Sequence, residues 1–309
     1  MEGPQRFAAR ALRTVPNVPD YRVSLQPMDE EHQRLARSFG SVAEAYDRGR
    51  PSFPQEAVRW LVGQDPTTVL EVGAGTGKLT QQLVALGHDV HATEPAPEML
   101  EILRRNLPDT RTSQASAEEL PVPDRSVDVV VAAQSFHWFE LDRALPEIAR
   151  VLRPGGHLSL VWNLRNEKIP WVRKLGTLIG NQELLAKDIA EPLVHSGLFG
   201  FVEDASFSFW QDINRDTIQD MVLSRSNIAL LDDEAREAKL AEVVAFYDDY
   251  GRGMDGMRLP YDTLCYRAVV VEQPGQSVTT SEDDAPEGPS DSEPPNDGPD
   301  DGMLLIDFR

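Results

Sequence analysis

"VLEVGAGTGKLT", Val69 to Thr80, is a β-branched apolar run, then three glycines at alternate positions, then a helix-like segment. A glycine-rich link between strand and helix brings bare backbone against a ligand, and at least three nucleotide classes are held in this way. A phosphate-cradling loop needs G-x-x-x-x-G-K-[ST]. Here Gly77-Lys78 is followed by Leu79, and Val72 stands five positions before Gly77, so Lys78 is not a phosphate lysine. A dinucleotide fingerprint needs G-x-G-x-x-G, and Lys78 occupies the place of its third glycine. Gly73-x-Gly75-x-Gly77 is a different spacing. Glu71, two residues before the first glycine, is expected to turn its charge toward the ligand. A carboxylate there repels a pyrophosphate and welcomes an ammonium or a sulfonium. The expected ligand is therefore a cationic nucleoside without phosphates.

On either side of this loop, strand-like and helix-like segments alternate. "TTVLEV" reads as a strand and "GKLTQQLVALG" as a helix ending at Gly87, followed by the strand "HDVHATE". "PAPEMLEILRRN" opens with prolines and carries Met99, Leu100 and Leu103 at helical spacing. "TRTSQAS" is a weak third strand, "SVDVVVAAQ" a buried fourth, and "DRALPEIARVL" a helix with Leu145, Ile148, Val151 and Leu152 on one side. "RPGG" turns the chain into the strand "HLSLVWN". Strands separated by single helices predict βαβ units, hence a doubly wound, mostly parallel α/β sheet. Beyond Asn163 the pattern loosens: residues 172–197 read as helical, 201–212 as a strand, 234–251 as an amphipathic helix and 261–272 as a closing strand.

With those segments in place, "LEVGAGTGKLT" resembles the first motif of class I S-adenosylmethionine-dependent methyltransferases. The agreement continues in order through "ATEPAPEML", "ASAEELPVPDRSVDVVVAAQSFHWF" and "ARVLRPGGHLSLVWN". The chain is similar to the methyltransferase-domain family that includes trans-aconitate methyltransferases and many small-molecule enzymes. "FGSVAEAYDRGRPSFP" resembles the N-terminal cap of these enzymes. The resemblance implies a Rossmann-like sheet of seven strands with helical cap and insertions. It further implies S-adenosylmethionine (SAM) as cofactor and methyl transfer to a small acceptor, a carboxylate or a hydroxyl. A non-catalytic SAM-fold scaffold or regulator is the alternative.

Within that frame Gly73, Gly75 and Gly77, with Ala74 and Thr76 between them, are expected to lie along the methionine part of the cofactor. Glu94 ends the second strand, where a carboxylate accepts both ribose hydroxyls; it also suits the N-terminal dipole of the helix that Pro95 introduces. Met99 packs either on the adenine or in the core. The family places the adenine-amine contact after the third strand, at Ala117 and Glu118. Gln134, after the fourth strand, completes the expected lining. Tyr46 and Arg50 lie in the cap, where a guanidinium suits the cofactor's carboxylate or is a plain surface arginine. For catalysis, His137 in "AQSFHWF" is either a general base or, with Trp138, a pocket wall, and Asn163 is a second polar candidate. No histidine spacing points to a metal site.

Composition narrows the setting. The chain has 309 residues and a net charge of −21. Residues 273–309 hold ten acids and one base, leaving −12 for the rest. With no basic run, a nucleic-acid substrate is disfavoured. The single cysteine, Cys265, excludes an internal disulfide and points to a reducing, cytoplasmic setting. No apolar stretch is long enough to span a bilayer. The expected organisation is a loosely ordered arm over 1–33, one domain over 34–272, and an acidic tail over 273–309 expected to be disordered apart from its apolar "MLLIDF".

Overall fold

The computed structural model describes residues 43–180, 190–225, 228, 231–250 and 257–271. The expected arm and acidic tail lie outside them. The cap begins with helices α1 (Ala43–Gly49) and α2 (Gln55–Val62). There follow β1 (Thr68–Val72), α3 (Lys78–Ala85), β2 (Asp89–Thr93), α4 (Pro97–Asn106), β3 (Arg111–Ser113), β4 (Val127–Ala133), α5 (Leu141–Val151) and β5 (Leu152–Arg165). The remaining described elements are α6 (Pro170–Ile179), α7 (Ala190–Ser196), β6 (Phe199–Ile213), α8 (Arg215–Leu223), α9 (Asp233–Tyr250) and β7 (Met257–Val270).

The seven strands form one sheet in the order β3-β2-β1-β4-β5-β7-β6. The first five are mutually parallel, and β7 runs antiparallel between β5 and β6. This is the Rossmann-like class I fold. Strand alternation explains how one chain covers both faces. Leu70, Val72, Val130, Ala132, Leu158, Leu160 and Trp162 pack on α5 through Ala144, Leu145, Ile148 and Val151. Val69, Val129, Val131 and Val161 face the other way, onto Ala57, Val58 and Leu61 of α2 and Leu79 and Leu83 of α3. A separate core joins α6, α8 and α9 to the ends of β6 and β7, through Val172, Leu175, Ile218, Met221, Val243, Phe246 and Tyr261. Strand order reverses between β1 and β4, and the carboxyl ends of these two strands diverge into the crevice where such folds bind ligands.

The structure corrects three sequence-based boundaries. "RPGG" lies inside the span of β5, as an irregularity between the pairs Val127–Leu152 and Val129–His157. The helical reading of 172–197 is interrupted: α6 ends at Gly180, whose φ of 95° suits a residue without Cβ, and a second helix resumes at Ala190. Helices α2 and α8 belong to segments for which the periodicity gave no assignment. The N-terminus of α8 is nevertheless well marked, because Asn214 forms a capping box with Thr217.

Candidate functional site

A cavity of about 640 Å³ opens beyond the carboxyl ends of β1, β2 and β4. Its backbone floor is the glycine loop, with positive φ at Gly73 (70°), Gly75 (58°) and Gly77 (88°). The amides of Gly73 and Ala74 both donate to the carbonyl of Thr93 at 2.9 Å, which ties the loop to the end of β2. A Cβ on Gly73 would stand 2.5 Å from Cβ of Ser135 and 2.8 Å from its Oγ. Ser135 cannot yield readily, because its hydroxyl donates to the carbonyl of Val72 at 2.8 Å. Gly77 has a different reason to be glycine: its Cβ would meet Leu103 at 3.0 Å, where α3 starts against α4. Gly73 and Gly75 line the cavity, whereas Ala74, Thr76 and Gly77 shape the loop from behind it.

Glu94 stands at the end of β2 and is almost fully buried. Its Oε2 accepts from the amide of Gly75 at 2.8 Å and its Oε1 from the amide of Ala96 at 3.0 Å. Burial raises its pKa, and these two N–H groups pull it back. Each oxygen retains a lone pair for a further donor. Pro95, Met99, Ala117, Glu118 and Gln134 also line the cavity, as does Tyr46 from α1. Met99 serves both readings given to it, since it packs on Ala43 and Ile102 as well as facing the cavity. Gln134 is one of two non-glycine residues with positive φ among the described residues, at 57°, a strained bend that returns the chain toward the ligand space.

Electrostatically the lining is one-sided. Glu94, Glu98, Glu118 and Glu140 contribute to it, and among the described residues no lysine or arginine does. Sequence reasoning attached the acidity to the wrong residue. Glu71 points instead beneath α3, where its Oε2 accepts from Thr80 Oγ1 at 2.6 Å. Burial pushes its carboxyl up to about 8, so it presents no charge to the cavity.

Three further candidates lie off the cavity lining. Arg50 stacks on the Tyr46 ring at 5.2 Å, but its Nε donates to Ser224 Oγ at 2.9 Å, so it turns toward α8. Asn163 is committed on both sides: Nδ2 donates to the Ser52 carbonyl at 3.0 Å and Oδ1 accepts from Thr263 Oγ1 at 2.7 Å. It holds the cap to the sheet. His137 lies in a short 3-10 turn (Phe136–Trp138), its ring 4.7 Å from that of Trp138. Trp138 lines the cavity, with Phe139 beside it. Ser116, Ser135 and Glu140 were missed although the first two lie within a quoted motif and the third follows it; the clash beneath Gly73 is what identifies Ser135. Among the described residues no group of His, Cys, Asp and Glu could hold a metal. No described helix is long and apolar enough to cross a membrane.

Residues 70–160 match a family model described as a methyltransferase domain. An uncharacterised methyltransferase of Mycobacterium tuberculosis is 42% identical over 241 residues, covering 76% of this chain and 97% of that protein. A malonyl-[acyl-carrier protein] O-methyltransferase of Methylococcus capsulatus is 38% identical over 141 residues, 42% of this chain and 51% of that one. A solved structure from Anaeromyxobacter dehalogenans, described as a type II methyltransferase, superposes with a TM-score of 0.53 at 26% identity, over 71% of this chain and 97% of that chain.

Proposed function

This chain belongs to the class I SAM-dependent methyltransferase family, and we propose that it transfers a methyl group from SAM to an oxygen of a small organic acid. The observation that carries the reading is a cavity at the switch point whose ionisable side chains, among the described residues and apart from Tyr46, are carboxylates, with Glu94 at the end of β2. The residues fit the cofactor. Glu94 has acceptor capacity for a ribose diol, bare backbone at Gly73 and Gly75 admits the methionine portion, and Ala117 and Met99 offer an apolar slot for adenine. Four acids without a base in the lining favour a sulfonium over a phosphate-bearing nucleotide.

Bound SAM supplies a methyl group on a sulfonium; the acceptor oxygen forms the new O–C bond, the C–S bond breaks, and its electron pair stays on sulfur. The protein's own work is alignment and exclusion of water. Glu94 fixes the nucleoside, and the loop from Gln134 to Glu140 closes the far wall with Trp138 and Phe139. A carboxylate acceptor is already ionised and needs no general base. A hydroxyl acceptor would need one, and His137, one residue from the lining, is the group for that role. The O-methyltransferase among the relatives supports an oxygen acceptor, because its name specifies O-methylation of malonyl-[acyl-carrier protein].

The test is titration calorimetry of the full-length chain with SAM, S-adenosylhomocysteine and NAD. Incubation with SAM and a panel of carboxylic acids, read by mass spectrometry for methyl esters, accompanies it. SAM and its demethylated product should bind with dissociation constants of about micromolar or tighter, and NAD should not. Binding of NAD alone would overturn the reading.

A further inference from the structure

Three arginines gather around Gly180 and Ser224, beside Tyr46, and their charges are unequally matched. Arg165, at the end of β5, and Arg225, just after α8, both donate from Nη2 to the carbonyl of Gly180, at 2.8 and 3.2 Å. Two guanidiniums on one carbonyl lie side by side. Arg50 reaches the neighbouring residue, giving Nε to Ser224 Oγ at 2.9 Å and Nη2 to the Ser224 carbonyl at 3.1 Å. Arg165 has a carboxylate in Glu167, at 3.2 Å. Among the described residues, the side chains of Arg50 and Arg225 make hydrogen bonds and ring contacts with neutral groups, Ser224 and the Tyr46 ring for one and Gly180 for the other, and Glu167 acts on Arg225 only as a nearby charge. Nε of Arg225 is buried and has no acceptor.

Half-buried like charges without counter-ions are costly, and a bound anion relieves the cost. Burial first, then Arg165 and Arg50, push the Arg225 guanidinium down to about 9. Tyr46 lines the cavity, and the Arg50 guanidinium lies 5.2 Å from its ring, so the arginines adjoin the cavity wall. Strand β5, which delivers Arg165, pairs with β4, whose end leads into Gln134. The guanidinium fork matches a carboxylate with two parallel hydrogen bonds, which an ammonium could not do.

We propose that Arg225 and Arg50, supported by Arg165, form an anion subsite that grips a carboxylate of the methyl acceptor. An oxygen held by guanidiniums is a poor nucleophile, so the gripped carboxylate is not the one methylated. The acceptor therefore carries a carboxylate and a second oxygen nucleophile. This rests on the methyltransferase reading for its partner, but not for the anion binding itself.

Succinate and inorganic phosphate, titrated into the full-length chain with and without saturating S-adenosylhomocysteine, provide the test. Succinate should bind wild type, and Arg225→Gln should weaken it by about tenfold or more while the affinity for S-adenosylhomocysteine stays within about twofold. Arg225→Lys keeps the charge and loses the fork; it should weaken succinate by about threefold or more, and it serves if the Gln variant does not fold. No succinate binding by wild type, or equal binding by wild type and both variants, overturns the proposal. So does phosphate binding more tightly than succinate, or an equal loss of cofactor-product affinity, which would move the guanidiniums onto the cofactor's own carboxylate. If succinate binds through Arg225 but S-adenosylhomocysteine does not bind wild type, the subsite stands and the methyltransferase reading fails.

Discussion

The stretch from Thr68 to Glu140 and the stretch from Arg165 to Tyr261 meet at one sheet edge but are built on different terms. The first gathers its ligand-facing residues from the ends of consecutive strands, each a few positions past an apolar run. Its ionisable groups are mostly acids. The second gathers Arg165, Arg225 and Tyr261 from three separate elements and joins them to Arg50, 174 residues from its partner Ser224. The ionisable groups it gathers there are Arg50, Arg165, Arg225, Glu167 and Tyr261, mostly arginines. The contrast separates two tasks. On the proposed reading, a cofactor common to a family is held by local geometry and a particular acceptor by long-range packing, so the two sites can change independently.

The largest effect that would break this division belongs to the glycine loop. Gly73→Val forces a side chain into Ser135 at a backbone angle that L residues rarely adopt. It should lower S-adenosylhomocysteine affinity by about a hundredfold or more, read by calorimetry, while leaving succinate binding nearly intact. Loss of both would mean that the two regions are one site.

Glu71 gives the next effect, in stability rather than binding. Burial raises its folded pKa to about 8, above the 4.5 of an ordinary glutamate. Between those values the native state binds more protons than the unfolded chain, so this residue's contribution is present at low pH and lost as pH rises toward 8. The slope is at most about 1.4 kcal/mol per pH unit. Glu71→Gln cannot ionise. Its stability relative to wild type, from urea denaturation at several pH values between 5 and 9, should therefore improve up to about pH 8 and level off above it. A constant difference would place an ionised Glu71 in the native state and restore the charge first expected to face the ligand.

Asn163→Ala sharpens the comparison at the seam. It leaves the Ser52 carbonyl and the Thr263 hydroxyl without their partner and should cost about 1–3 kcal/mol in denaturant titration. S-adenosylhomocysteine affinity should change little; a large loss would draw Asn163 into the cofactor site. The smallest effect belongs to Arg48, whose exposed pairing with Asp220 at 2.8 Å links α1 to α8. Arg48→Ala should cost about 1 kcal/mol or less. A larger loss would show that this pair, rather than apolar packing, seats the cap.

The same contrast explains what could be read from the chain. The parallel sheet was legible because Val69–Val72 and Val127–Ala132 are apolar apart from Glu71 and Asp128, close to the continuous run expected of strands covered on both faces. Glu94, Gly73 and Gly75 were legible because a strand end fixes where its next residue goes. Glu71 was misread because spacing alone does not say toward which helix a strand residue turns, and here Thr80 captures it. Arg50 was noticed, but its destination was not, since Ser224 lies in a helix that the periodicity did not reveal. Arg165 and Arg225 carried no local signal. Their meaning arises only when Gly180 brings them together.

The central claim, that the acid-lined cavity holds the nucleoside through Glu94, is tested most directly by Glu94→Ala in titration calorimetry with S-adenosylhomocysteine. Loss of a charged hydrogen-bond partner is worth about 1.5–3 kcal/mol, so the affinity should fall by about ten- to a hundredfold in a variant that remains folded. Equal affinities in wild type and Glu94→Ala would contradict the account.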